Sequence, residues 1–363
     1  MTLSRIASIV LYLSIFAFII LFSFLSKKTN KKIFMFLAVL APALLVALRG
    51  NVGTDTAEYV NMYDEISTIP LEKAIEKVTS FGIEPFAVFS IRLLHAVNLK
   101  YFFFYFAYSI ITYGFAFLFA KKIPGNRTWL LYSAVAVVLL PFSINVMRQA
   151  AAIAVISFLI VRLFYNHEEW LKNLIIFILA ITLHFSVAML IPLFAVYTLY
   201  RTFGFRRTAT IISLAILALL AVFPKFLSFA LNNHLVSDKY TDTISQFSSN
   251  LMNFDFIIFI GLFTLLSLTR KRKNSFDSRI NDFITLVILC NVFYSGIGFF
   301  SAYIGRMSDY FWPTAIVGLW FGIDRFKDNP RFKTAIYLIG VILYFVFTCI
   351  ILGNSQIIPY KFA

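Results

Sequence analysis

Four arginines, Arg49, Arg92, Arg148 and Arg306, each stand without an adjacent basic residue at the edge of, or inside, an apolar run. A charge at membrane depth is expensive unless it is used. A guanidinium offers a fixed fork of donors that matches phosphate oxygens two at a time. Several such forks converging at one rim would clamp a diphosphate. The alternatives are anchors that snorkel from helix ends, or pairing with Asp55, Glu84 or Asp309. A second candidate is His184, the sole ionisable side chain other than tyrosine between Asn173 and Tyr200. An imidazole can take or give a proton near neutral pH; otherwise it is a satisfied side chain bonded to a carbonyl or to Ser186. A third is the string Arg49-Gly50-Asn51-Val52-Gly53-Thr54-Asp55, followed by Tyr59. Its glycines permit turns other residues resist, and their amides could line an anion site. Asp55 then stands as an alternative base or an orienting carboxylate.

The elements that must hold these residues follow from composition. Sixty per cent of the 363 residues are hydrophobic and 13% are charged, with a mean hydropathy of +0.84. A soluble protein carries about a quarter charged residues, so the solvent here is lipid. The expectation is an all-α polytopic integral membrane protein, one transmembrane domain over 1–363. The net charge of +15 could indicate nucleic acid as a partner, but 21 of the 32 Lys and Arg lie in six short segments between apolar runs. The alternate segments hold 11 of the 17 acids. That is the positive-inside asymmetry, with no nucleic acid implied, and it puts the basic segments in the cytoplasm. Cys290 and Cys349 lie in apolar runs and read as small core residues. Residues 1–25 read as an uncleaved first helix.

Apolar runs at 6–25, 33–48, 101–120, 129–147, 149–165, 208–223, 253–269, 281–301, 307–323 and 334–353 predict crossings. The stretch 171–200 has cytoplasmic-type charge at both ends, which predicts a hairpin of two short helices meeting near His184. Segment 86–98 is too short and is expected to be re-entrant or interfacial. The sum is about twelve crossings with both termini outside and two long outer loops, 49–85 and 224–253. In the first loop Leu71, Ala74, Ile75 and Val78 recur at helical spacing, predicting an amphipathic helix on the membrane surface. Gly318 and Gly322 permit close helix contact. No His/Cys/Asp cluster has metal-ligand spacing, no glycine-rich loop follows a strand, and no nucleophile elbow occurs. Neither a cofactor nor a metal is expected.

Taken in order, Arg49 with Gly53-Thr54-Asp55 and Tyr59, Asn145 with Arg148-Gln149, His184 with Ser186, and Arg306 with Tyr310 resemble the EpsG-like, Wzy-type family of bacterial polysaccharide polymerases. The resemblance runs across nearly the whole chain. It implies a glycosyltransferase in the cytoplasmic membrane, facing the periplasm or exterior, that joins oligosaccharide repeat units carried on undecaprenyl diphosphate. Donor and acceptor glycan lipids would be its partners, with membrane lipid and a chain-length regulator protein. It also implies metal-independent and inverting transfer. Arg49, Arg148 and Arg306 would bind substrate with Tyr59, Gln149 and Tyr310. The resemblance leaves open whether the base is a histidine or an acid, and the residues themselves make His184 the first choice and Asp55 the second. An O-antigen-type ligase, a flippase for the same lipids and a membrane O-acyltransferase are the other readings. Lone cations at one rim and the absence of two similar halves favour a one-sided enzyme.

Overall fold

The computed structural model describes residues 2–80, 82–125, 127–232, 254–270, 276–300, 305–325 and 329–363. The described residues are almost entirely helical, with no strand and two isolated bridges, Thr2 to Lys361 and Arg49 to Phe362. The chain is an all-α polytopic membrane protein. Among the described residues, seven helical stretches are long and apolar enough to span a bilayer: Arg5–Thr29, Tyr101–Lys122, Thr128–Asn145, Met147–Tyr165, Phe185–Phe229, Arg279–Ile297 and Pro330–Ile351. Four apolar helices are shorter: Lys32–Ala47, Pro85–Ala96, Trp170–Leu183 and Asp255–Leu268. A helix stands at every expected crossing, but two of those crossings fall within the single stretch Phe185–Phe229. The helices accommodate a count of twelve without requiring it.

Two compact units make up the chain: Met1–Ala188 with Asp328–Ala363, and Met189–Lys327. The first unit begins with α1 (Arg5–Thr29), whose Ser4 hydroxyl accepts from the Ala7 amide at 3.1 Å. Lys27 and Lys28 occupy its last turn, where the helix dipole favours cations. Then come α2 (Lys32–Ala47), α3 (Thr56–Thr68), α4 (Leu71–Thr79), α5 (Pro85–Ala96), α6 (Tyr101–Lys122), α7 (Thr128–Asn145), α8 (Met147–Tyr165) and α9 (Trp170–Leu183). The core is α6, α7 and α8. Ala150, Ala151, Ala152 and Ala154 are at most 1% exposed, and such small side chains let the α8 backbone approach its neighbours closely. Helix α4 is the expected amphipathic helix: Ala74 is buried while Leu71 and Ile75 keep an uncovered apolar face. Helix α14 (Pro330–Phe345) returns to this unit, and the tail beyond it braces the segment after α2. The Tyr360 hydroxyl donates to the Leu45 carbonyl at 2.5 Å, the Gly50 amide to Lys361 at 2.7 Å and the Ala363 amide to Leu48 at 3.0 Å.

The second unit holds α10 (Pro192–Asn232), α11 (Phe254–Leu268), α12 (Phe276–Ile297) and α13 (Trp312–Asp324). Helix α10 breaks at Gly204, whose φ of 69° is open to glycine at little cost. A Cβ on Gly318 would sit 2.6 Å from Ile288 Cδ1 and 3.2 Å from Leu266 Cδ1. The expected close contact is therefore made: α13 packs on α11 and α12 where only hydrogen fits. Within the long segment 224–253, residues 224–232 finish α10 and the remainder lies outside the described residues. Both cysteines are free thiols.

Candidate functional site

Three breaks between helices in the first unit place the chemistry. Helix α7 ends at Asn145 and α8 begins at Met147, with Val146 alone between them (φ −109°, ψ 59°). Arg148 is thereby fixed in the first turn of α8, where the positive end of the helix dipole disfavours it. Helix α5 starts with Pro85, a residue suited to that position. Glu84 becomes the residue capping the start of α5, where the same dipole favours a carboxylate. Helix α9 stops at His184, whose backbone is extended (φ −159°, ψ 120°) before the 3₁₀ turn Phe185–Leu190. A helix C-terminus stabilises an imidazolium.

These three residues meet. One Glu84 oxygen, Oε1, lies 2.5 Å from His184 Nδ1. The other, Oε2, takes a hydrogen bond and ion pair from Arg148 Nη1. The Glu84 side chain is 5% exposed, Arg148 20% and His184 26%. Burial pushes the Glu84 carboxyl up, but the Arg148 charge and the His184 hydrogen bond outweigh it and hold the group below its ordinary value. With Nδ1 held by the carboxylate, Nε2 is the nitrogen left for chemistry. The Arg148 guanidinium also sits 5.5 Å from the Tyr59 ring centre. The Tyr59 phenol is pushed up to about 12, by burial first, against the opposing charge of Arg148 and with that of Asp55. Two buried polar atoms beside this cluster, Arg148 Nε and the Tyr108 hydroxyl, have no hydrogen-bond partner among the described residues.

The turn after α2 docks on the same break. The Thr54 amide donates to Asn145 Oδ1 at 2.7 Å. The Thr54 hydroxyl lies 2.6 Å from Asp55 Oδ1 and 2.7 Å from Asn145 Oδ1. Gly53 has φ +84°, and a Cβ there would sit 3.1 Å from Asn145 Oδ1. Conformation and space both demand glycine. Asp55 is half-buried and starts α3.

Arg49 is fully buried. Its Nε donates to the Thr56 hydroxyl at 3.4 Å, Nη1 to the Val46 carbonyl at 3.0 Å and Nη2 to the Met147 sulfur at 3.6 Å, with the Tyr105 ring centre at 4.1 Å. No carboxylate pairs with it among the described residues. It lines a cleft of about 320 Å³ together with Gly50, Asn51, Thr56 and Tyr105. Arg92 donates to the Ile69 carbonyl. Gln149 is 6% exposed, on the turn of α8 that carries Arg148. Arg306 and Tyr310 lie in the second unit, on the 3₁₀ helix Arg306–Phe311. There Arg306 is exposed and Tyr310 fully buried. Arg306 acts electrostatically on Asp309, and the Ser308 hydroxyl donates to Asp255 Oδ2 at 3.0 Å.

Arg49, Asp55, Tyr59, Arg148, Gln149 and His184 thus share one unit, and three of them, Tyr59, Arg148 and His184, converge. Sequence reading named Glu84 only as one carboxylate a lone arginine could pair with, as Arg148 does, and gave it no part in the chemistry. Its signal was position: it is the acid that directly precedes proline and the apolar segment 86–98. No curated protein and no solved structure shows significant similarity to the chain. The model of the EpsG family matches residues 32–362. That span includes every residue of the cluster and all but the first helix, and the chain belongs to the EpsG family, a family of polysaccharide-polymerase-like membrane proteins.

Proposed function

We propose that the protein polymerises oligosaccharide repeat units carried on undecaprenyl diphosphate, at the outer face of the cytoplasmic membrane. The observation that carries this is the single carboxylate of Glu84 holding a histidine by Nδ1 and an arginine by its other oxygen. It pairs a poised base with a cation, the two groups a glycosyl transfer from a diphosphate needs. The acceptor hydroxyl loses its proton to His184 Nε2 as its oxygen attacks the donor's anomeric carbon. The bond from that carbon to the diphosphate oxygen breaks, and undecaprenyl diphosphate leaves with the electron pair. Glu84 keeps the imidazole in the correct tautomer and stabilises the imidazolium. Attack opposite the leaving group inverts the anomeric centre.

Arg148 lends its remaining donors to the diphosphate, and its unpartnered Nε supports that role. Arg49 is a buried cation without a counter-ion among the described residues, beside a cleft, a cost an anionic ligand would offset. Arg306 and Tyr310, in the second unit, would also serve substrate binding, while Tyr59 and Gln149 shape the site and Asp55 orients the acceptor. Metal-free chemistry follows if the arginines carry the charge that develops on the leaving group. A chain-length regulator would act on the growing polymer.

Purified protein given synthetic lipid-linked repeat units, and no other protein, should build a ladder of products. Movement of the lipid across liposomes without a ladder would make it a flippase; transfer of a single block to a different acceptor would make it a ligase. Orientation is tested separately. A cysteine at exposed Lys73 should react with an impermeant thiol reagent in intact cells, and one at exposed Lys28 should not.

A further inference from the structure

The opposite end of the first unit's bundle has its own cavity. It lies where α1 ends, α2 begins, α6 ends and α7 begins, and its volume is about 600 Å³. That is within the range of about 300–1,000 Å³ for small-ligand sites and more than one phosphate needs. Lys27, Lys32 and Lys121 line it, and no acid does among the described residues. Two of these ammonium groups are steadied by rings: Lys27 Nζ is 5.8 Å from the centre of Trp129, and Lys121 Nζ 5.9 Å from Phe117. Below them Met35 and Val39 continue the wall in apolar material.

A row of lysines at helix ends is by itself only the expected asymmetry of a membrane protein. The independent observation is Ser23. It lines the cavity, is 0% exposed, and its hydroxyl has no hydrogen-bond partner among the described residues. A buried hydroxyl left without a partner is costly. Gly114, also in the wall, faces open space: a Cβ there would meet nothing within 4 Å.

We infer that this cavity binds one anionic phospholipid, its phosphate among Lys27, Lys32 and Lys121 and accepting from the Ser23 hydroxyl, its first acyl carbons against Met35 and Phe117. Three cations, one orphan donor and an apolar lower wall match a phosphodiester joined to hydrocarbon. A free phosphate would satisfy the upper half of the site alone. Basic pockets at helix ends bind anionic headgroups for the same reason.

The test is native mass spectrometry of the delipidated full chain offered equal amounts of phosphatidylglycerol and phosphatidylcholine with identical acyl chains. One phosphatidylglycerol should be retained in preference, and excess inorganic phosphate should not displace it. Each lysine-to-alanine change should weaken retention about fivefold, and Lys27→Ala, Lys32→Ala and Lys121→Ala together on the order of a hundredfold. Gly114→Leu keeps every cation and fills open space, so it should abolish retention in a folded protein. Equal retention of the two lipids, retention unchanged in the lysine variants or in Gly114→Leu, or displacement by phosphate alone would overturn the inference.

Discussion

The two ends of the first unit solve the same problem, cations next to lipid, in opposite ways. At one end Lys27, Lys28, Lys32 and Lys121 are exposed, and the contacts of Lys27 and Lys121 are to aromatic rings. At the other, Arg49 is fully buried and Arg148 half-buried, held by Thr56, a carbonyl, a sulfur, the rings of Tyr105 and Tyr59, and Glu84. Helix α2 joins the two regimes, with Lys32 at its start and Arg49 just past its end. An ammonium is strongly hydrated and stays in water; a guanidinium is weakly hydrated and tolerates burial when its fork is filled. In the proposed topology the lysine end would orient the chain, and the arginine end would hold charge for an anionic substrate.

The largest effect should come from separating the two partners of Glu84. Glu84→Gln leaves the helix cap and the volume intact but removes the charge that both Arg148 and His184 need. Turnover should fall on the order of 10³–10⁴-fold, as when the carboxylate behind a catalytic histidine is neutralised. Loss of a buried pair's partner should also destabilise by about 3–5 kcal/mol, which lowers the melting temperature in detergent. Next is Arg148→Lys, which keeps charge and loses the fork. It should remove most activity at normal membrane levels, and near-full polymer from it would reduce Arg148 to an anchor.

A smaller effect is expected at the turn that docks on Asn145. Gly53→Ala forces a side chain into the left-handed region and towards Asn145, costing about 1–2 kcal/mol and lowering the midpoint of thermal unfolding. The pH dependence has a definite sign. Because Glu84 titrates below its ordinary value of 4.5, its contribution is complete above that pH and lost as pH falls through the lowered value. Wild type and Glu84→Gln should therefore converge in stability only in acid. The smallest effect belongs to the lysine end, where Lys28→Ala should change stability by less than about 0.5 kcal/mol.

Much of this contrast is legible in the chain. Apolar runs bounded by charge located the helices, and the break at Asn145–Arg148 and the turn at His184 followed from charge parity and a missing loop. Gly53-Thr54-Asp55 marked a turn because glycine is tolerated at positive φ. What periodicity cannot give is which residues of separate helices meet. Glu84 and His184 are a hundred positions apart, and nothing local ties one to the other. Arg49 and Arg148 were equivalent as lone arginines; burial separated them, one facing a carboxylate and the other a cleft without one. The count of crossings also stayed open, since residues 192–232 run through two expected crossings with only the break at Gly204 between them.

The central claim is that His184, held by Glu84, is the base. It is tested most directly by single-turnover glycosyl transfer with purified protein and synthetic lipid-linked repeat units, with donor binding measured alongside. His184→Ala should bind donor as wild type does and slow turnover by about 10²–10⁴-fold, with Asp55→Asn the milder change. If Asp55→Asn abolishes the product ladder while His184→Ala leaves it intact, the base is the carboxylate and the account of this site is wrong.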